Sequence, residues 1–493
     1  MTVLRPGQGE GILHTVTAEA PGKDGEVVVT LAERRGVIHD DLSIGANVAA
    51  VSALRASSSI SNRGFEIGGA GFIVTPGEAD ALLADAPPDA RQRLIRDYRN
   101  GRDLTDRPRG VKVIDAFGLG ADELRSQYPA VYQWLQERVK PERDQNRMAS
   151  VRENWWLHRR SREDLRILLR GLPRYIATVE TAKHRLFQFL DASVLPDNKL
   201  VAIALDDAYA LGVLSSQLHA SWALATGSRL GVGNDPVYVK SRCFETFPFP
   251  ADDTGLTPAL ADRIRDLAEQ IDAHRKRQQA AHADVTLTGL YNVPEKLRAG
   301  TALTPKEKTL HQHGLVGVLQ SLHDELDAAV LAAYGWSDLK LPSDGDRLLE
   351  RLVALNARRA AEEANGRVRW LRPDLQAGQP EQAGIELPEP EAAPVKAARK
   401  TTKGKTASSA KTDRSGQASV QAQPWPGDLL AQVQAVADVL ARAGAALDLD
   451  AIAAHFSARG RWRDRLPSIL DTLAALGRVH AQDGGLWVNV GGR

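Results

Sequence analysis

Three strings between Val139 and Pro250 decide how the rest of the chain is read. They are VKPERDQNRMASVRENWWLHRRSREDLR (139–166), RYIATVETAKHRLFQFL (174–190) and NDPVYVKSRCFETFPFP (234–250). From Val139 to Arg185 there are 12 Lys/Arg against 6 Asp/Glu, whereas the whole chain has a formal charge of +1. Asn154, Trp155, Trp156, His158, Tyr175 and His184 sit among these cations. Cations hold phosphates without reading sequence, while planar and amide side chains can meet base edges or stack on them. The window reads as a nucleic-acid contact or as a solvated basic face, and the paired tryptophans favour the first.

Composition sets the bounds around this window. At 493 residues the chain has room for roughly two to four domains and a large core. It has no apolar run of membrane-spanning length and no signal-peptide core at its start, so a cytoplasmic protein without a membrane partner is expected. The single cysteine, Cys243, allows no internal disulfide and no cysteine-rich zinc site.

Toward the N-terminus, residues 1–25 read as a polar tail. Strands are expected at Glu26–Glu33, Asn47–Leu54, Gly71–Thr75 and Val111–Phe117. Helices are expected at Pro76–Ala84, Asp89–Tyr98 and from Ala121 to about Arg138, with a turn at Arg99–Leu104. Over residues 1–250 strands and helices mix without regular βαβ alternation, so the fold class is α+β. From Gly255 the pattern becomes helical. Thr257–Pro258 and Thr304–Pro305 are helix starts, and leucine stripes run through Leu260–Ile271, Leu315–Val330 and Leu349–Leu355, giving a helical domain at 251–375.

Residues 376–424 lack periodicity, and Glu391–Gly416 holds seven Lys/Arg against two acids, the composition of a flexible basic linker. Residues 425–493 read as three helices (Asp428–Ala443, Leu449–Ala458, Arg463–Leu476) and a hairpin (Arg478–Ala481, Leu486–Val490), a winged-helix-like pattern. Arg461, Arg463 and Arg465 enter its third helix, the groove-reading element of such folds, although winged helices also dock proteins.

Catalytic-looking strings fail on their chemistry. Gly118-Leu119-Gly120 lacks a third glycine and a helix-opening turn, and Gly68–Gly71 reads as a turn. His311 and His313 point apart at i, i+2, and with no carboxylate to complete a chelate, no metal site is expected with His323. Asn234-Asp235-Pro236-Val237-Tyr238 approaches the Asp/Asn-Pro-Pro-Tyr/Phe motif of amino-methylating enzymes, but Val237 replaces the second proline. No catalytic residue is assigned.

Several strings together resemble one family. YRNGRDL (98–104), the Trp155–Trp156 pair, RYIATVETAKHR (174–185), DAYALGVLSSQLHASWA (207–223) and NDPVYVKSRCFETFPFP resemble the target-recognition region of MmeI-like DNA methyltransferases, fused adenine-specific restriction–modification enzymes. LTGLYN (287–292), DELDAAVLAAYGW (324–336) and VRWLRP (368–373) are similar to that family's C-terminal helical region. The resemblance covers about residues 25–375. It implies a chain that recognises double-stranded DNA, with the nuclease and methyltransferase parts lying before residue 1. S-adenosylmethionine would then be held in a separate methyltransferase chain, and no cofactor in this one.

By the same resemblance, DNA contacts are expected from Arg99, Asn100, Arg102, Arg159, Arg160, Arg174, Tyr175, Lys183, His184 and Arg185. The base-reading segment would be Ser228–Arg242, with Arg229, Asn234, Asp235, Tyr238, Lys240 and Arg242. Arginine can pair with guanine, asparagine with adenine and aspartate with cytosine. Two rivals remain from the sequence: a DNA-binding regulator using the C-terminal winged helix, and an inert remnant.

Overall fold

The computed structural model describes residues 9–21, 27–39, 44–84, 86–229, 235–377, 423–426, 429–443, 446–457, 463, 466–475, 479–482 and 486–489. The chain divides into two compact units, Met1–Ile385 and Glu386–Arg493. The basic linker at 378–422, together with Asn234, Arg461 and Arg465, lies outside the described residues.

The first unit begins with a long antiparallel hairpin of β1 (Gly11–Pro21) and β2 (Val27–Gly36), with a bulge between Val16 and Ala18. β-Branched residues cluster in both arms, at Thr15–Thr17 and Val27–Thr30, and favour extended backbone, so the N-terminal stretch read as a tail contains a strand. The segment expected as a strand at Asn47–Leu54 instead holds a 3-10 turn at Val48–Ala50. Its neighbouring backbone is held by side chains of the helix Gly345–Ala364. Asn356 accepts from the Ser52 N–H at 2.9 Å, and Glu363 accepts from the Arg55 and Ala56 N–H groups at 2.7 and 2.9 Å.

Two four-stranded sheets follow. One is ordered β4 (Ile73–Val74), β6 (Lys112–Ile114), β5 (Ile95–Arg99), β9 (Leu195–Pro196), with β5 and β9 parallel. The helix expected over Asp89–Tyr98 stops at Leu94, because Ile95–Arg99 pairs with β6 and β9. The other sheet is ordered β3 (Ser61–Arg63), β10 (Leu200–Ile203), β7 (Arg174–Val179), β8 (Phe187–Asp191), antiparallel throughout.

Strands β7 and β10 are buried on both faces, and their two-residue period sends alternate side chains into different cores. Tyr175, Ala177, Val179, Leu200 and Ala202 pack with Phe65, Phe72, Ile114, Leu135 and Trp155. Ile176, Val201 and Ile203 pack with Phe187, Trp222, Phe247 and the helices Pro258–Ala281, Val316–Ala333 and Gly345–Ala364. A boundary at residue 250 would cut this second core, so the expected recognition and helical domains are one folded unit.

The second unit contains helices Leu429–Ala443, Leu449–Ala454 and Leu466–Ala475 around Val436, Leu440, Ile452, Phe456, Ile469 and Leu470. It also holds a parallel pair, β13 (Gln423–Pro424) with β14 (Phe456–Ser457), and an antiparallel hairpin, β15 (Val479–Gln482) with β16 (Leu486–Asn489). Leu447 and Trp487 exchange backbone hydrogen bonds of 2.9 and 2.8 Å. Among the described residues no helix is long and apolar enough to cross a membrane.

Candidate nucleic-acid interface

Past the end of β7 the chain turns, and Thr181 bridges Val237 while the Tyr238 N–H donates to the Glu180 carbonyl at 2.7 Å. This seats β12 (Pro236–Val237), which pairs with β11 (Ser228–Arg229), against the turn at 180–184. On the other side stands a short helix, Gly101–Thr105, where the sequence suggested only a turn. Asn100 caps it: its side chain accepts from the Asp103 N–H at 3.1 Å, and Asp103 accepts from the Asn100 N–H at 2.9 Å. Two reciprocal bonds are enough to close one helical turn here.

Between these pieces lies an open groove of about 640 Å³ whose lining includes Asn100, Arg102, Lys183, His184, Asp197, Lys199, Asp235 and Thr288. Three strings far apart in sequence therefore meet at one place: YRNGRDL, TAKH and the Asp235 end of NDPVY. The helix Leu287–Arg298 adds polar groups that individual residue types did not announce. Asn292 accepts from Lys183 Nζ at 2.9 Å and from His184 Nε2 at 2.8 Å, and Glu295 lies 2.6 Å from Lys183 Nζ. That ammonium holds the Glu295 carboxyl below its ordinary range. Asn292 is the last residue of LTGLYN, so a signal for it was present. Asp197 and Lys199 carried none; Asp197 is held by the Tyr98 hydroxyl at 2.5 Å and by the Lys199 N–H at 2.9 Å.

The groove's charge is nearly balanced, with Arg102, Lys183 and Lys199 opposite Asp197 and Asp235. Arg102 has a 78 % exposed side chain, 3.5 Å from Asp106, and Lys199 lies 3.6 Å from Glu180. Arg229 and Arg242 on the adjoining segment are exposed and make no ion pair among the described residues. A surface of this kind combines a few mobile cations with amide, imidazole and carboxylate groups that can distinguish hydrogen-bond donors from acceptors.

Other expected contacts have different surroundings. Tyr175 is fully buried and donates to the Val194 carbonyl at 3.1 Å, so it is a core residue and no stacking platform. Tyr238 is equally buried, its hydroxyl 3.0 Å from His219 Nε2, which removes it from the base-reading set. Arg185 turns inward, donating to Thr178 Oγ1 and to the carbonyls of Val179, Glu180 and Pro236. Burial pushes its pKa down, so it is a strut of the wall and no phosphate contact.

Arg174 makes a two-pronged pair with Glu269, 3.7 Å over the Phe189 ring. Arg159 and Arg160 are exposed and share Glu66 at 2.7 and 3.3 Å. Arg99 donates to its neighbour's carbonyl, and Lys240 pairs with Glu245 at 2.5 Å. The paired tryptophans also serve packing: Trp155 is buried and Trp156 donates to the Leu119 carbonyl at 2.9 Å. Away from the groove, His313 meets a carboxylate after all, Asp284, together with His282.

The MmeI target recognition domain family matches residues 65–251, a span that contains most of the groove's lining. The chain is similar in structure to the Type IIL restriction-modification enzyme MmeI solved in complex with DNA. The TM-score is 0.50 with 18% sequence identity, over 71% of this chain and 42% of that one. The chain thus spans less than half the length of that enzyme. No curated protein matches the sequence. Residues 65–251 are an MmeI-like target recognition region.

Proposed function

We propose that this chain is the DNA target-recognition and C-terminal part of a site-specific, adenine-specific DNA methyltransferase of a restriction–modification system. The observation that carries the reading is the meeting of Asn100, Arg102, Lys183, His184 and Asp235 in one open groove within the matched region. Arg102, Lys199, Arg229 and Arg242 would take phosphates and set the register on the duplex. Asn100 and Asp235 carry the groups that pair with adenine and cytosine edges. Lys183 and His184, tethered by Asn292, would be oriented donors along the same path.

Methyl transfer would be supplied by a methyltransferase chain that holds S-adenosylmethionine and receives the flipped adenine. Supporting this division, no segment of the sequence joins a Gly-rich turn to a methyl-donor pocket, and the one near-match to the target-base motif has Val237 and a core Tyr238. Selection of bound duplexes from a randomised pool tests the reading. Enrichment of one defined site is expected, and recovery of unselected sequence would sink it.

A second reading rests on the C-terminal unit, whose three helices, hairpin and Leu447–Trp487 pairing support a winged-helix-like regulator. Under that reading Arg463→Ala abolishes site selection while groove substitutions leave it unchanged.

A further inference from the structure

The helices Pro258–Ala281 and Pro305–His313 end side by side, and their last turns bring two histidines together. The rings of His282 and His313 lie parallel, with centroids 4.2 Å apart and planes at 10°. Asp284, two residues beyond His282, places its carboxylate oxygens 2.9 and 3.0 Å from His313 Nδ1. One donor atom from each of the three lies within 4.8 Å of the others. An ion pair accounts for His313 with Asp284. It does not account for a second imidazole laid flat on the first.

The frame around the three side chains is stiff. His274, buried on the first helix, bonds the Gly314 carbonyl at 2.9 Å and so fixes the residue after His313. Arg107 donates to the Ala283 and Gln279 carbonyls at 2.7 and 2.9 Å, and the Val285 N–H closes on the His282 carbonyl at 3.2 Å. The side chains themselves are open to solvent, His313 and Asp284 being 38% and 40% exposed. Both histidines stand at helix C-terminal ends, where the backbone carbonyls favour a cation.

We propose that His282, Asp284 and His313 form a binding site for a divalent transition-metal ion of the zinc class. Two imidazole nitrogens and a carboxylate oxygen suit zinc, cobalt or nickel, whereas magnesium and calcium prefer all-oxygen sets. The His313–Asp284 pair already has the spacing of two ligands on one ion, and the metal replaces the proton they share. His282 joins by turning its ring edge toward the same point. Three protein ligands leave a position for water, and the ion would clamp the ends of the two helices.

The test uses the full chain without a histidine tag, titrated with Co²⁺ and followed by visible absorption, with Zn²⁺ competition. Saturable binding of one ion per chain is expected, with the intense absorption of a low-coordinate site. His282→Ala and His313→Ala should each abolish it, Asp284→Asn should weaken it, and His311→Ala should leave it intact. Circular dichroism of each variant separates loss of ligand from loss of fold. No cobalt binding by the parent chain, or binding that survives the loss of both His282 and His313, would overturn the site.

Discussion

The Arg185 guanidinium lies 4.9 Å over the Tyr238 ring while donating to the Pro236 carbonyl at 3.2 Å, so a half-buried cation ties the turn after β7 to the strand that follows Asp235. Arg185→Met would leave the carbonyls of Val179, Glu180 and Pro236 without this partner. Each buried polar group stranded in this way costs about 1–3 kcal/mol. A lower urea midpoint is expected, with the salt slope of DNA binding unchanged in the folded fraction; a flattened slope would return Arg185 to the phosphate contacts.

Phosphate contacts are expected instead from the exposed cations at the groove and beside it. Arg102→Ala, Arg229→Ala and Arg242→Ala should each flatten log K against log salt by about 0.9. Fluorescence anisotropy on one duplex across a salt series measures this. Identical slopes for all three variants and the parent would move the duplex elsewhere.

Asp235 is exposed on the groove, and its carboxylate can accept from a cytosine amino group. Asp235→Ala should relax preference at one base position by about 1–3 kcal/mol. Competition binding with single-position substituted sites would show it; a uniform loss on every site would make Asp235 a turn residue.

His219 stands buried against Phe247 at 4.4 Å and beside Arg185, and burial drives its pKa down from 6.5 to about 3. Unfolding lets this imidazole take up a proton anywhere between those values, so stability is retained above pH 6.5 and falls as the pH drops toward 3. In His219→Gln that component is absent. The urea midpoint of the variant should therefore lose less than the parent's on going from pH 7 to pH 5, even if it starts lower.

Local patterns in the sequence carried much of this architecture, for reasons that can be followed residue by residue. The helix starts at Thr257–Pro258 and Thr304–Pro305 are both realised, because a capping hydroxyl and a proline act within one turn. The leucine stripes mark buried faces at Leu319, Leu326 and Val330, whereas Leu315, at the head of its stripe, precedes the helix and is exposed. Asp89–Tyr98 misled because Ile95–Arg99 owes its extended form to β6 and β9, which are distant in sequence.

At the site, residue type announced the charge but not its destination. Arg102 and Arg185 look alike in the sequence, yet one is exposed and the other is spent on four acceptors inside the wall. Asp197 and Lys199 enter the groove only because β9 runs beside β5, a long-range pairing with no local signature.

Two cores share the wall formed by β7 and β10, and this divides the chain's freedom to vary. A change at Ala177 or Ala202 is felt by one core directly and by the other through the shared backbone, so the wall resists substitution from both directions. Asn100, Lys183 and Asp235 hang from the ends of that wall, on short elements that reach the cores through only a few side chains such as Leu104 and Ala182. Under the proposed function, new recognition would be written by exchanging Lys183 and Asp235, while Asn100 stays as the cap of its helix and the frame is unchanged.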